Sequence, residues 1–161
     1  MREIFEALPR TEKHDLVLLD TCYLIDAFHN HKERELEEAA KEHRLAITSF
    51  NVEELVHVNG KVQDKSVKER VRKFFKEHQD IKVLEVPVSP GDPEAEKRYV
   101  EAVDPYLARD VPDPSDAVLM AAAIETHSTV VTKDKHHLFT TVLENYLKRW
   151  GLSVVKGLKD L

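Results

Sequence analysis

The stretch "DLVLLDTCYLID", residues 15–26, decides the fold. Its apolar run, Leu16–Leu19, is too short and too uniformly apolar for an amphipathic helix. It fits a strand covered on both faces, as strands of parallel sheets are. Asp20 follows at once, and the chain turns apolar again at Tyr23, Leu24 and Ile25. A carboxylate is therefore expected where a buried strand hands over to a helix.

Working outward, further strands are expected at 45–49, 82–86, 129–132 and 152–155. Between them lie helical patterns at 22–30, 32–43, 52–59, 64–78, 94–108, 114 to about 127, and 140–149, the last ending at or before Gly151. Residues 2–8 read as a short helix stopped by Pro9. Asn51 is expected to cap the helix that follows it, and Asp113 the helix that opens on Pro114. The helix at 64–78 is the clearest amphipathic one, with Val67, Val71, Phe74, Phe75 and His78 on one face. "PVSPGDP" at 87–93 is a loop. Strands alternating with helices imply a three-layer α/β/α fold with a five-stranded, mainly parallel sheet. No repeat or linker divides the 161 residues, so one domain over 1–161 is expected, with a short helical extension over 1–14.

Composition narrows the function. With 24 basic and 30 acidic side chains, net charge −6, the surface does not suit sequence-blind wrapping of nucleic acid. One cysteine, Cys22, cannot form an internal disulfide, and with no signal peptide the expected location is the cytoplasm. No apolar run reaches membrane-spanning length. Nine histidines show no paired zinc spacing and have no cysteine partners. Surface positions suit them, with His136 near the acids described next. Trp150 and Tyr146 are expected to close the core near the C-terminus.

Four acids are expected to converge. Asp20 ends the first strand and Asp134 follows the fourth after two residues. In a doubly wound sheet, ligands sit beyond the carboxyl ends of the strands where strand order reverses. The helix after the second strand starts at that edge and brings Glu54. The helix at 114 to about 127 must finish near the start of the fourth strand, so its own start, with Asp116, also lies there. Each acid has a plain structural alternative. Glu54 and Asp116 lie three residues after a capping residue, Asp20 can be a cap itself, and Asp134 a turn residue. All four at one edge would repel, and a divalent cation removes that conflict. An all-oxygen set suits Mg²⁺ or Mn²⁺ over zinc, and phosphodiester hydrolysis is the chemistry such a site performs best.

The stretches "LLDTCYLID", "TSFNVEEL", "SDAVLMAAAIE" and "VVTKD" resemble, in this order, the motifs of the PIN-domain family, the nuclease fold that includes the toxins of VapBC toxin–antitoxin pairs. The resemblance runs from residue 15 to about 140. It implies strand order 3-2-1-4-5, Mg²⁺ or Mn²⁺ dependence and cleavage of RNA. It also implies Asp20, Glu54, Asp116 and Asp134 as metal ligands and catalytic residues, with Thr21 and Thr132 in support. A cognate antitoxin and a homodimer are implied by the same resemblance. Three features depart from the pattern. Cys22 stands where the family has Asn or Ser. Glu53 adjoins Glu54, so either can be the ligand, with the spacing from Thr48 and the following Leu55 favouring Glu54. About fourteen residues precede the first strand, so a stand-alone PIN ribonuclease competes with a toxin.

The segment 61–76 holds seven basic residues, of which Lys61, Lys65, Lys68, Arg72 and Lys76 follow helical spacing. This stripe is either a solvated helix face or an RNA-binding rim beside the acids. From another functional class comes a catalytically silent PIN-fold module for RNA binding or assembly. A haloacid-dehalogenase-type phosphatase needs a second Asp where Cys22 stands, and a dinucleotide-binding domain needs a glycine loop that is absent.

Overall fold

A computed structural model describes residues 2–11, 15–61, 64–133, 145 and 147–161, with no account of the side chains at 58–61. The elements run α1 Arg2–Glu6, β1 Arg10–Thr11, β2 Val17–Leu19, α2 Thr21–His29, α3 Glu33–Glu42, β3 Leu45–Thr48 and α4 Ser49–Lys61. They continue with α5 Lys65–Glu77, β4 Lys82–Leu84, α6 Pro93–Val103, α7 Leu107–Asp110, α8 Pro114–Thr126, β5 Thr129–Val131 and β6 Val154–Val155. A 3₁₀ turn, Leu158–Asp160, follows.

All strand pairs among the described residues are parallel, in the order β1-β4-β3-β2-β5-β6. The five expected strands stand in the expected order, and one more, β1, is added at the edge beside β4. The segment before β2 is thus a helix followed by a strand. That strand pairs Arg10 with Val83 and Thr11 with Leu84, too short a stretch to show a period in the sequence.

β2 lies between β3 and β5, so strand order reverses at its carboxyl end. Its side chains alternate between two cores. Leu16 and Leu18 pack under α6 and α8, whereas Val17 and Leu19 pack with Phe28, Phe74 and Phe75 on the other face. Double coverage is why the run carries no polar residue. Phe75 is fully buried and stacks on Phe5 (4.9 Å), Phe74 (5.2 Å) and Phe28 (5.9 Å). α8 is buried at every position from Ala117 to Ile124, because α6 and α7 cover the side that the sheet does not.

Three local expectations change. The helix expected at 94–108 is two helices, because Pro105 forbids helical backbone at Asp104, which is extended (φ −156°, ψ 122°). The helix expected from residue 52 begins at Ser49. Trp150 does not close the core, being 39% exposed, while Leu147 nearby is buried. Tyr146 and His136 lie outside the described residues. Of the expected apolar face of α5, Val67, Val71, Phe74 and Phe75 are buried. His78 is the C-cap and pairs with Glu37 at 2.8 Å.

Candidate active site

Asp20 extends the ladder of β2 by donating its N–H to the Val131 carbonyl (3.0 Å). Its backbone (φ −75°, ψ 150°) is that of a helix N-cap, and its carbonyl accepts from Leu24 N–H (3.1 Å). Its carboxylate nevertheless caps nothing. Oδ2 instead accepts from the Thr132 hydroxyl (2.6 Å) and the Cys22 thiol (3.1 Å), while Oδ1 faces Asn51 Nδ2 at 3.5 Å. Asp20 is only 7% exposed. A cap residue that turns its carboxylate away from the helix, into a buried crevice, gives up a stabilisation of about 1 kcal/mol.

The start of α4 explains the second acid. Thr48, the last residue of β3, accepts the Asn51 N–H (3.0 Å) and donates its hydroxyl proton to Asn51 Oδ1 (2.6 Å). Thr48 therefore serves the helix start, and Asn51 is the third helical residue, one turn before Glu54. The amide of Asn51 donates to Glu54 Oε1 (3.1 Å) and Thr21 Oγ1 (3.0 Å). Glu54 is thus no third-position capping acid. The adjacent Glu53 points elsewhere and pairs with Arg2 at 2.6 Å on the surface. Glu54, not Glu53, faces Asp20.

Burial, then the charge of Asp20, pushes the Glu54 carboxyl up to about 7. Asp113 adds to the rise, while Ser115 and Thr21 hydrogen-bond the carboxyl and oppose it. Ser115 brings the first turn of α8 to the same crevice. Asp116 is the next residue, half-buried, its N–H bonded to the Asp113 carboxylate (3.1 Å) as expected of that cap. Among the described residues Asp20 and Glu54 come together, but no three His, Cys, Asp or Glu side chains form a complete metal centre. Asp134 lies outside the described residues.

The donor chemistry fits a hard divalent cation. Both gathered groups are carboxylates; burial raises Glu54 first and the charge of Asp20 adds to it, and a cation between the two would relieve both effects. Thr21 and Thr132, buried at the rim, both hydrogen-bond within the acid network. Cys22 is exposed as a residue, yet its sulfur lies against Asp20 and Thr132 (3.4 Å). Burial of that sulfur and the Asp20 charge push the thiol up to about 11.

Lys65, Arg72 and Lys76 are exposed on α5, and Lys68 is half-buried. Arg72 and Lys76 line a groove of about 880 Å³ against α1, where Arg72 faces Glu3. The side chain of Lys61 is outside the described set. Sequence reasoning passed over Asn51 as a site residue. The signal was present in "TSFN", where Thr48 is as good a cap as Asn51.

A parallel sheet with a buried and a half-buried acid, Asp20 and Glu54, gathered at its switch point defines an α/β protein with an acidic site. The sequence matches the PIN-domain family over residues 17–142, and the chain belongs to that family. No curated protein matches it. Solved structures that share the fold include two chains of VapBC complexes. A chain of VapBC2 from Rickettsia felis, bound to a DNA fragment from its promoter, is 18% identical (TM-score 0.57). That alignment covers 86% of this chain and 96% of that one. A chain of DNA-bound VapBC from Salmonella typhimurium is 19% identical (TM-score 0.56), covering 78% and 92%. Among the described residues no helix is long and apolar enough to cross a membrane.

Proposed function

We propose that this chain, as one PIN-like domain over residues 1–161, is a metal-dependent endoribonuclease that hydrolyses phosphodiester bonds of single-stranded or structured RNA. The observation that carries the reading is the carboxylate of Asp20. It sits at a helix start without capping it and shares a buried crevice with a raised Glu54. Asp20, Glu54, Asp116 and Asp134 would hold Mg²⁺ or Mn²⁺. When bound, such an ion makes water a usable nucleophile near neutral pH and offsets charge on the phosphate oxygens. The chain's own part is placement. β2 delivers Asp20 on a rigid strand, Thr132 fixes its Oδ2, and Thr21 and Ser115 favour the ionised form of Glu54.

The fold shared with chains of VapBC complexes supports a toxin with an antitoxin partner; the homodimer and the cytoplasmic setting are proposed on the resemblance to the PIN-domain family alone. A stand-alone PIN ribonuclease uses the same chemistry without the partner. A silent RNA-binding or assembly module is favoured by one observation, the Cys22 thiol that occupies Asp20 Oδ2.

The test is cleavage of a labelled single-stranded RNA, in Mn²⁺ or in EDTA, by the wild type and by Asp20→Asn purified identically. Cleavage that needs Mn²⁺ and disappears in the variant supports the enzyme. Equal cleavage by both proteins, or none by either in Mn²⁺ or Mg²⁺, leaves the silent module.

A further inference from the structure

We propose that Asn51 is a positioning residue that sets the spacing of Asp20 and Glu54 for a divalent cation, an inference that rests on the metal-dependent reading above. Asn51 is 1% exposed, and both ends of its amide are engaged. The orientation of that amide is dictated locally. Thr48 Oγ1 accepts the Asn51 N–H and donates its own proton to Asn51 Oδ1, while the carboxylate of Asp20 can only accept. The NH₂ end must then face the acids. Three acceptors lie in its reach, Thr21 Oγ1 at 3.0 Å, Glu54 Oε1 at 3.1 Å and Asp20 Oδ1 at 3.5 Å.

One amide thus ties the acid that follows β2 to the acid on α4. Being neutral, it cannot cancel their charge. What it does is hold one oxygen of Glu54, and with it the plane of that carboxylate. Aspartate at 51 would add a third negative charge, and alanine would leave the two carboxylates unlinked. Groups that orient metal ligands in this way change metal affinity about 10–100-fold when removed. A fixed spacing also discriminates between small and large cations, because Mg²⁺-like ions demand tighter geometry than Ca²⁺.

The experiment is calorimetric titration of the full chain with Mn²⁺ and, separately, Ca²⁺. It uses the wild type, Asn51→Ala and Thr48→Val, with the melting temperature of each recorded in EDTA. Thr48 hydrogen-bonds neither acid, so its loss frees the amide while leaving both carboxylates in the chain; because it also caps α4, the melting temperature separates loosening of that helix from loss of the amide's orientation. The expected result is a Kd for Mn²⁺ weakened about 10–100-fold in Asn51→Ala. Thr48→Val should weaken it in the same direction by less. The preference for Mn²⁺ over Ca²⁺ should narrow in both, which general destabilisation would not produce. If Asn51→Ala does not fold, Thr48→Val decides alone. Wild-type affinity and selectivity retained in the folded variants overturn the inference. A wild type that binds no Mn²⁺ refutes the metal-dependent reading and this inference together.

Discussion

Replacing Glu54 by Gln should stabilise the metal-free protein at alkaline pH and leave it unchanged at acid pH. The carboxyl titrates at about 7 in the folded chain against an ordinary 4.5. Below pH 4.5 it is protonated folded and unfolded alike, and contributes nothing. Between 4.5 and 7 the folded chain keeps a proton that the unfolded chain has released, so stability falls as pH rises. Above 7 the full penalty persists. At about 1.4 kcal/mol per pH unit the shift corresponds to roughly 3 kcal/mol, and residual solvent contact reduces this to about 2 kcal/mol. Glutamine removes the charge, and its carbonyl can still accept from Asn51 Nδ2, so the hydrogen bond at 3.1 Å survives. For a chain of this size the gain amounts to roughly 4–8 °C in Tm. Thermal melts in EDTA at pH 4 and pH 8.5 measure it. The reasoning is refuted if Glu54→Gln melts lower than the wild type at pH 8.5, or if the two proteins show the same pH dependence.

Further outcomes follow from the same geometry. The Cys22 thiol, pushed up to about 11, should react with a disulfide reagent at pH 8 on the order of ten times more slowly in the folded chain than in urea, the loss of thiolate being partly offset by its greater nucleophilicity. Equal rates would mean that the sulfur does not lie against Asp20. Phe75→Ala removes a fully buried ring from the cluster with Phe5, Phe28 and Phe74 and should cost about 3–5 kcal/mol in urea denaturation. A loss under 1 kcal/mol would contradict that packing. Joint replacement of Lys65, Lys68, Arg72 and Lys76 by Ala should weaken RNA binding by Asp20→Asn protein and flatten its salt dependence. Unchanged binding assigns the stripe to a solvated helix face.

The sheet and the place of the acids were legible because they follow from period and order. Leu16–Leu19 is apolar throughout since alternate residues enter different cores, and the carboxylate after it must emerge at the switch point. β1 was not legible: two residues, Arg10 and Thr11, pair with β4 over too short a stretch to show a period. Pro105 was in plain view, yet helical composition on either side outweighed it in the reading of 94–108. At the start of α4, Thr48 and Asn51 are equally good caps by residue type. Only the fold shows that Thr48 serves the helix and Asn51 faces the acids. The pair Glu53 and Glu54 is ambiguous in the same way until Arg2, brought over by α1, takes Glu53 to the surface.

The most direct test of the central claim, that this crevice is a divalent-cation site, is an anomalous difference map from crystals of the wild type grown with Mn²⁺. The account predicts a peak between the carboxylates of Asp20 and Glu54, absent from crystals of Asp20→Asn grown in the same solution. No peak there, or an equal peak in the variant, would contradict it.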